Sequence, residues 1–404
     1  MSSNGGETFG KFRESLCRLD QYVREHDYSG YDPYDALNTE LFEHLPTKYL
    51  KVLVTQFFVY SPVNFRKLVN TQPGKNPKGL GLFLQAYCNM YKANLIDRGE
   101  FDAISSYLVQ ELIRLRSTGY TNYCWGFNFP WQDITRYGPR YLPSIVNTSY
   151  IGNAFLDLYE VTQEQRHLDI AESCSRFILN DLNVTETDTG ICFSYTPVDH
   201  HLVHNANVLG AAFLSRVSST TGQDELLNSA NRAFEFTLSH QHDDGSWAYS
   251  MNPNTGKERN QIDFHQGFIL DALCDFLKCN PPKKPPLEDA LLLGAQYYLN
   301  CQFDVQGRSK WRMPRKWPID IHHQAQGAIT FCKLFEYTHS LEYLRCAEKI
   351  SSWTIDNVQD RVGYFHHQRW PYFTNKISYM RWGQAWMMLG LSMLMHITEA
   401  QKQW

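Results

Sequence analysis

The spacing of apolar side chains along the chain predicts helices over most of its length. In the clearest segments, apolar residues recur at intervals of three and four, which places them on one face of a helix. These segments are residues 11–26, 78–93, 99–118 and 164–182. A further helix is predicted over residues 47–68, with a break at Ser61 and Pro62 because proline lacks the amide hydrogen that a helix interior needs. Residues 1–10 show no such pattern, and we expect them to be disordered.

A second group of predicted helices is apolar on nearly every side and begins with polar residues. The clearest example is residues 261–273 (QIDFHQGFILDAL), in which Asp263, His265 and Gln266 precede an apolar run. Similar segments begin at residues 204, 321 and 381. A helix without a polar face is expected to be buried. We therefore predict that these helices form the interior of the fold and that their polar heads converge on one central pocket.

Two independent landmarks recur along the chain with a period of about 60 residues. One is a glycine followed by aromatic residues at near-alternate positions. It occurs at Gly126, Gly190, Gly245, Gly307 and Gly363, so the intervals are 64, 55, 62 and 56 residues. The other is the polar helix head. It occurs near Asn147, His204, His265, His322 and Arg381, so the intervals are 57, 61, 57 and 59 residues.

This period, with two helices per unit, predicts stacked helical hairpins. About six units fit into 404 residues, and the last helix, from residue 381, has no following partner. Pairing of that helix with the N-terminal helix would close a ring. The proline-rich residues 278–289 fall between the two helices of one hairpin, so no linker divides the chain. We predict an all-α fold, a single (α/α)6 toroid domain over residues 1–404 with short β segments between hairpins. An open helical solenoid is the alternative.

Composition narrows the choice of function. The net charge of −4 gives no electrostatic basis for nucleic-acid binding. No apolar run is long enough to span a membrane. The N-terminus lacks the apolar core of a signal peptide, and the ten cysteines contain no CxxC pair, which is typical of free thiols in a reducing compartment. We therefore expect a cytoplasmic protein without a nucleic-acid partner or a membrane span.

Two aspartates at helix heads, Asp263 and Asp320, each have two interpretations. An aspartate at this position caps a helix by accepting a hydrogen bond from a backbone N–H. Alternatively, burial in an aromatic cavity raises the pKa of the carboxyl group, which then serves as an acid or a base. If both face the cavity, they form the paired carboxylates of glycoside hydrolysis.

Histidines recur at the same position of the repeat, which favours a shared chemical role over isolated structural ones. They are suited to moving a proton beside a sugar carbon or to binding hydroxyl groups. Neither an HxxxH nor an HExxH pattern occurs within one helix, so we expect no metal and no other cofactor. The predicted catalytic residues are Asp263, His265, His204 and His322.

Arginines and aromatic residues on pocket-side segments predict the substrate. The guanidinium group binds a carboxylate through two parallel hydrogen bonds, which suggests an anionic ligand such as a uronate. Tryptophan and tyrosine rings cover the apolar face of a sugar. The predicted substrate-binding residues are Asn147, Tyr150, Arg136, Arg140, Trp247, Tyr249, Trp311, Arg312, Asp320, His323, Arg381 and Gln384.

Four segments carry a resemblance to polysaccharide-biosynthesis proteins from exopolysaccharide gene clusters. They are residues 31–40 (YDPYDALNTE), 143–160 (PSIVNTSYIGNAFLDLYE), 243–250 (DDGSWAYS) and 263–273 (DFHQGFILDAL). This resemblance spans most of the chain. It implies a carbohydrate-active six-hairpin protein with polysaccharide-assembly partners.

Two further families are similar more distantly. The helical pattern resembles the helical domain of glucuronyl 5-epimerases, which remove and return a proton at a uronate carbon. Residues 381–392 (RWGQAWMMLGLS) resemble an Arg-Gly-Gln-Ala-Trp helix of unsaturated glucuronyl hydrolases, and Ile262-Asp263 resembles the Ile-Asp that heads their catalytic helix. The chain departs from that pattern, since Trp382 separates Arg381 from Gly383. All three likenesses imply glycans that contain uronates.

These observations predict a carbohydrate-active enzyme that acts on a uronate-containing poly- or oligosaccharide in polysaccharide metabolism. Its acid/base chemistry would be that of an epimerase, a lyase or a hydrolase. The alternative is a non-catalytic glycan-binding or scaffold protein of a polysaccharide biosynthesis complex. A third option is a toroid that handles isoprenoids, but the absence of a DxDD motif argues against a protonating cyclase.

Overall fold

The computed structural model describes residues 3–134, 136–280 and 285–402. Most of these residues are helical, and the helices are numbered here in chain order. The α-helices of the described residues are α1 (Ser3–Glu25), α2 (Glu40–Glu43), α3 (Lys48–Tyr60), α4 (Pro77–Lys92), α5 (Arg98–Arg114), α6 (Ile145–Thr162), α7 (Gln165–Asn180), α8 (His204–Thr221), α9 (Asp224–Leu238), α10 (His265–Cys279), α11 (Pro285–Tyr297), α12 (Ile321–Thr338), α13 (Leu341–Val358) and α14 (Trp386–Lys402). A π-helical segment, Met380–Ala385, leads into α14.

The even-numbered helices from α4 to α14 form a closed inner ring. Each packs against the next, and α14 packs against α4. Five outer helices, α5, α7, α9, α11 and α13, each pack on the inner helix that precedes them, and α1 packs on α14. The molecule is therefore an (α/α)6 toroid, as the period of about 60 residues predicts.

The pairing of α1 with α14 closes the ring between the two ends of the chain. Lys11 Nζ lies 2.6 Å from Asp356 Oδ2 on α13 and donates to Ser352 Oγ at 2.8 Å, which fixes α1 against the last outer helix. The predicted pairing of the last helix with the N-terminal helix is thus confirmed. Residues 3–10 belong to α1 rather than being disordered as expected, and residues 1–2 lie outside the described residues.

In four of the five Gly-aromatic segments, those at Gly190, Gly245, Gly307 and Gly363, the glycine allows a loop to approach an outer helix closely. Gly190 has φ +149°, and a Cβ atom there would lie 2.2 Å from the carbonyl oxygen of Arg232 on α9. Gly363 has φ +109°, and a Cβ atom there would lie 2.2 Å from the carbonyl oxygen of Arg18 on α1. At either position, a residue with a side chain would clash with the helix backbone and would have to adopt an unfavourable backbone conformation. Because Gly363 packs on α1 as Gly190 packs on the outer helix α9, α1 occupies the outer position of the sixth hairpin.

Glutamine side chains of the inner helices hold the Gly-aromatic segments in place. Gln266 accepts from the Trp247 N–H at 2.9 Å and donates to the Trp247 carbonyl at 2.6 Å. Gln384 binds the N–H and the carbonyl of Phe365 at 2.8 and 2.9 Å. Gln324 binds the Ser309 N–H and the Gly307 carbonyl in the same way. In these three units the two landmarks of the sequence are therefore two halves of one structural unit, which we call the amide clamp.

Short antiparallel strands occupy the loops between hairpins, as the sequence predicts. Two of the sheets have three strands and lead directly into α8 and α12. The paired strands are Ser29–Gly30 with Gly74–Lys75, Trp131–Gln132 with Tyr137–Gly138, Val184–Thr187 with Gly190–Phe193, Leu202–Val203 with Ser250–Met251 and Glu258–Arg259, and Ile319–Asp320 with Gln368–Arg369 and Thr374–Asn375.

The hydrophobic core lies between the inner and outer rings. Trp125 and Trp247 are fully buried there, and each indole N–H donates to the last turn of an outer helix, at Leu112 and Thr237 respectively. All ten cysteines are free thiols. Within the described part of the chain, no helix is both long and apolar enough to cross a membrane.

Candidate active site

A cavity of about 480 Å³ opens at the end of the toroid where the inner helices begin. All six inner helices contribute to it through their first turns or the segments just before them. The residues that do so include Lys78, Val146, Asn205, Phe268, His322 and Trp382. Helix α3 and the loop at residues 127–136 add the walls. The predicted convergence of helix heads on one pocket is therefore present in the structure.

Asp263 and His265 form a hydrogen-bonded pair on the cavity wall. His265 Nδ1 lies 2.5 Å from Asp263 Oδ1, and the His265 backbone N–H donates to the same oxygen at 3.2 Å. Gln261 Nε2 donates to Asp263 Oδ2 at 2.7 Å. Because an ionised carboxylate only accepts hydrogen bonds, Nδ1 carries the proton and Nε2 presents a lone pair. Nε2 has no hydrogen-bond partner among the described residues, so this pair has the geometry of an oriented general base.

The charge state of Asp263 differs from the sequence prediction. Burial alone raises the pKa of this carboxyl group, but the charge of His265 and its hydrogen bond hold the pKa at about 2. Asp263 is therefore ionised near neutral pH and is not an acid with a raised pKa. It orients His265 and stabilises its protonated form, as the aspartate of a catalytic triad does.

Asp320 caps α12 and does not line the cavity. Its carboxylate accepts from the His322 backbone N–H, from Gln368 Nε2 and from the Trp382 indole, each at 2.9 Å, and His367 Nε2 lies 3.3 Å away. Burial raises its pKa, but the hydrogen bond and charge of His367 outweigh burial and lower it. The capping interpretation is confirmed. The condition for a pair of catalytic carboxylates, that Asp263 and Asp320 both face the cavity, is not met.

His322 lines the cavity, as predicted, beside three aromatic rings. Its ring stacks on Trp382 at 4.2 Å and meets the edges of Phe264 at 4.6 Å and Trp386 at 4.7 Å. Burial lowers the pKa of His322 well below its usual value. The imidazole is therefore neutral and suited to hydrogen bonding or to relaying a proton.

His204 lies away from the cavity, contrary to the prediction. Its ring is fully buried between α8 and α9, where it stacks on Phe236 at 5.4 Å and lies 5.2 Å from the ring of His240. The next residue along the chain, Asn205, takes the cavity-facing position. Successive residues of a helix point about 100° apart, so a shift of one position moves a side chain from the lumen to the core.

Three of the four predicted substrate-binding arginines line the cavity. Arg381 makes two hydrogen bonds to Asp32, at 2.6 and 2.8 Å, so its charge is largely matched. Arg136 lies over the Tyr195 ring at 4.1 Å and makes ion pairs with Asp133 and Asp199. The side chain of Arg312 is 43% exposed and is therefore accessible to a ligand. Its Nε lies 3.9 Å from Asp263 Oδ2.

The fourth arginine, Arg140, lies outside the cavity, where it is 47% exposed and 3.9 Å from Glu43. Other predicted binding residues also belong to the framework. Trp247 is in the core and Gln384 belongs to an amide clamp, so neither stacks on or binds a ligand in the cavity. Asn147 is fully buried, and His323 lies behind Trp311, on which it stacks at 4.9 Å.

Aromatic residues form much of the cavity surface. Tyr249 and Trp311 line it as predicted, and Tyr249 lies 4.7 Å from the His265 ring. Tyr150 lies one layer deeper and supports the floor through Phe268 and Trp386. The walls further include Phe127, Phe129, Trp131, Tyr195 and Tyr60. These flat apolar surfaces, next to polar groups, suit the faces of sugar rings.

Lys78 and Arg259 also line the cavity, and sequence reasoning missed both. Lys78 lies in the first turn of the first inner helix. No Gly-aromatic segment precedes this helix, and the next helix head, at Asn147, follows 69 residues later rather than about 60, so the repeat does not extend to Lys78. Its place at the start of an apolar helix, with proline just before it, was the available signal. Arg259 stands on the strand before α10, where the chain carries no landmark.

The electrostatic character of the cavity favours an anion. Its lining has two carboxylates among the described residues, Asp133 and Asp263. It has four guanidinium groups, those of Arg136, Arg259, Arg312 and Arg381, and the amine of Lys78. Six helix N-termini, each with a partial positive charge, point at the same space. Within the described residues, no group of three or more His, Cys, Asp or Glu side chains is placed to hold a metal ion.

Neither a protein-family model nor a curated protein sequence matches this chain. Solved structures, however, share its architecture. A GH76 alpha-mannanase from Bacteroides thetaiotaomicron aligns with a TM-score of 0.62 at 11% identity, over 81% of this chain and 86% of that chain. A cellobiose 2-epimerase from Bacillus thermoamylovorans aligns with a TM-score of 0.63 at 12% identity, over 80% of this chain and 88% of that chain. An unsaturated glucuronyl hydrolase specific for heparin aligns with a TM-score of 0.63 at 11% identity, over 97% of each chain. What this chain shares with these proteins is the (α/α)6 toroid fold.

Proposed function

We propose that this protein is a glycan-modifying enzyme that removes a proton from the carbon next to a sugar carboxylate, as an epimerase or a lyase does. The observation that carries the proposal is the Asp263–His265 pair on the cavity wall, with 2.5 Å between carboxylate and imidazole. A histidine whose Nδ1 is held by a carboxylate in this way can act as a general base through Nε2. Its unpaired Nε2 is the atom that accepts the proton.

The same residues account for the later steps of such a reaction. Asp263 stabilises the imidazolium that forms when His265 takes the proton. Arg312, close to Asp263, neutralises the substrate carboxylate, so that the charge left on the adjacent carbon spreads onto it. Return of a proton to the opposite face gives the epimer. Loss of the substituent on the neighbouring carbon gives an unsaturated sugar.

The choice of a uronate substrate rests on charge and on resemblance. Four arginines and six helix N-termini surround a lumen with two carboxylates among its described residues, which favours an anionic sugar. Two structures of similar fold are those of a cellobiose 2-epimerase and of an unsaturated glucuronyl hydrolase specific for heparin. Hydrolysis by a carboxylate pair has less support, because Asp263 has a low pKa and Asp133 is paired with Arg136. We place the activity in cytoplasmic polysaccharide biosynthesis, with polysaccharide-assembly proteins as partners.

Exchange of substrate hydrogen with solvent tests the proposal. The protein is incubated with uronate-containing polysaccharides in deuterium oxide. Deuterium at the carbon next to the carboxylate, measured by NMR, indicates epimerisation, and an unsaturated uronate, measured by ultraviolet absorbance, indicates elimination. The rate of exchange or elimination should be lower by about 100-fold or more in the His265→Gln variant, since a general base contributes at least that factor to the rate.

Two further variants separate chemistry from folding. Asp263→Asn keeps the shape of the carboxyl group but not its charge, and should also lose activity. His44 is exposed and does not line the cavity, so His44→Gln should leave the rate unchanged. Binding of the glycan without hydrogen exchange or elimination, and equally strong in His265→Gln, would instead identify a glycan-binding protein.

A further inference from the structure

Lys78 occupies surroundings that are unusual for a lysine. It is 5% exposed, begins the first inner helix and lines the floor of the cavity. Its Nζ lies 4.4 Å from the ring centre of Tyr150, 5.0 Å from that of Trp386 and 5.7 Å from that of Phe268. Among the described residues, no carboxylate lies within ion-pair distance of this nitrogen.

Other partly buried lysines of the same protein are paired. Lys75 lies 2.7 Å from an oxygen of Asp27 and 3.3 Å from one of Glu111. Lys333 lies 2.5 Å from Asp275. These carboxylates stabilise the ammonium form, so the two amines have no free lone pair near neutral pH. The lack of such a partner sets Lys78 apart.

The charged groups around Lys78 favour the neutral amine. Burial lowers its pKa well below the usual value, and the nearby guanidinium of Arg381 adds to that effect. Asp32 opposes it, but both oxygens of Asp32 are engaged by Arg381. The ring of His322, also next to Trp386, is neutral and offers no negative charge. A lysine that is desolvated or next to another cation is an activated nucleophile.

The position of Lys78 restricts what it can meet. Lys78 is 5% exposed and its Nζ lies over the rings of Tyr150 and Trp386, so we expect only the end of a bound molecule to reach Nζ. The polar atoms that share the Phe268 surface with it are those of His265 and His322, whose rings lie 5.8 and 5.9 Å from the Phe268 ring. The electrophile at the end of a sugar chain is the aldehyde of the open-chain reducing unit.

We propose that Lys78 captures the open-chain aldehyde of a reducing sugar as an imine. The nitrogen lone pair adds to the carbonyl carbon, and the former carbonyl oxygen takes up two hydrogens and leaves as water. The C=N bond replaces both N–H bonds of the amine, and no oxidant or reductant takes part. His322 relays the proton to the departing oxygen. The inference uses the sugar substrate of the proposed function but not the chemistry at His265.

Reductive trapping tests this inference. The full-length protein is incubated with D-glucuronic acid or D-mannose and sodium cyanoborohydride at neutral pH, digested, and mapped by mass spectrometry. The peptide with Lys78 should gain the mass of the sugar minus one oxygen. Its initial rate should exceed that at exposed Lys48 by about tenfold or more, because the neutral fraction of an amine rises tenfold for each unit by which its pKa falls.

Controls distinguish capture from surface glycation. The methyl glycosides of the same sugars cannot open to an aldehyde and should give no adduct, a comparison that needs no variant. Lys78→Arg keeps a long cationic side chain but should give no adduct at this position, and its far-ultraviolet circular dichroism reports whether it folds. The inference is overturned if Lys78 stays unmodified while Lys48 reacts, which is the behaviour of an ammonium held in an aromatic cage.

The two proposals fail separately. His265→Gln should abolish hydrogen exchange and keep the trapped adduct at Lys78. Hydrogen exchange without an adduct would overturn the role of Lys78 alone. An adduct without exchange on any uronate would overturn the proposed function alone.

Discussion

Three histidines stand at equivalent positions of the repeat, and their surroundings give them different properties. His265 faces the cavity and is oriented by Asp263. His322 also faces the cavity, but Asp320 binds its backbone rather than its ring. Among the described residues, no carboxylate forms a hydrogen bond with its imidazole. His204 stacks in the core, and neither of its ring nitrogens has a hydrogen-bond partner among the described residues. Only the first of the three has the contacts that make a histidine a base.

The pH dependence of stability should report the burial of His204. Burial lowers its pKa from 6.5 to about 3, with the charges of His240 and His242 adding to that effect. Below about pH 6.5 the unfolded chain binds a proton that the folded chain excludes, so its contribution to stability falls as the pH falls. The His204→Phe variant removes this site and keeps the stack on Phe236. Between about pH 7 and pH 5, urea denaturation should show that the wild type loses about 2 kcal/mol more than the variant.

The same replacement at His44 serves as the control for that comparison. His44 is exposed, so His44→Phe should leave the pH dependence of unfolding as in the wild type. Parallel pH profiles for wild type and His204→Phe would mean that His204 is protonated in the folded protein. That result would contradict its placement in a dry stack.

At the residue scale, the sequence pattern predicted which segments reach the cavity more accurately than which of their side chains face it. A repeat landmark locates a helix head to within a few residues, whereas one residue changes the direction of a side chain by about 100°. That is why His322 faces the lumen and His323 stacks behind Trp311, and why Asn205 replaces His204 at the cavity. Ion pairs across the ring, such as Arg381 with Asp32, join residues 349 positions apart, which no local pattern encodes.

The amide clamp explains, at the scale of elements, why the two landmarks share a period. One landmark supplies a glutamine on an inner helix, and the other supplies the loop backbone that it binds. Trp247 pairs with Gln266, and Phe365 with Gln384, each 19 residues further along the chain. The glutamines satisfy buried N–H and carbonyl groups that no strand partner reaches. Sequence reasoning placed Gln384 in the site because a polar residue at a helix head gives no sign of whether it faces the lumen or the outer loop.

Removal of one clamp should destabilise the protein without changing ligand contacts. In Gln384→Leu the N–H and the carbonyl of Phe365 lose their partners in a buried setting. Each unsatisfied group costs about 1–3 kcal/mol, so we expect a loss of about 2–4 kcal/mol in the free energy of unfolding. Urea denaturation measures it. Gln306→Leu is the matched control, because the Gln306 side chain is exposed and should contribute almost nothing.

The outcome also separates the two roles considered for Gln384. A framework role predicts normal glycan turnover by the folded fraction of Gln384→Leu at low temperature. A stable variant with a raised KM would restore Gln384 to the substrate-binding residues.

At the scale of the whole molecule, the hairpin topology determines the electrostatics of the lumen. Each inner helix is followed by an outer helix that returns the chain, so all six inner helices begin at the same end. Their positive ends therefore add to the cationic side chains around one cavity. The sequence predicted this arrangement because the period and the unpaired last helix are global features of the pattern. It did not predict that residues 3–10 belong to α1, because their apolar residues do not recur at helical spacing.

Closure of the ring should be sensitive to a single methyl group at Gly363. This glycine has φ +109°, and a Cβ atom would lie 2.2 Å from the Arg18 carbonyl oxygen on α1. Gly363→Ala therefore combines an unfavourable backbone conformation with a clash against the helix that closes the toroid, and should cost about 3 kcal/mol or more in the free energy of unfolding. Gly119 has φ +86° with no atom within 4 Å of its Cβ position, so Gly119→Ala isolates the backbone cost of about 1–2 kcal/mol. Hydrogen exchange should rise in α1 of Gly363→Ala and remain slow in α9. Equal losses of stability for the two variants would show that α1 does not pack tightly on this loop and that the ring is held closed by other contacts.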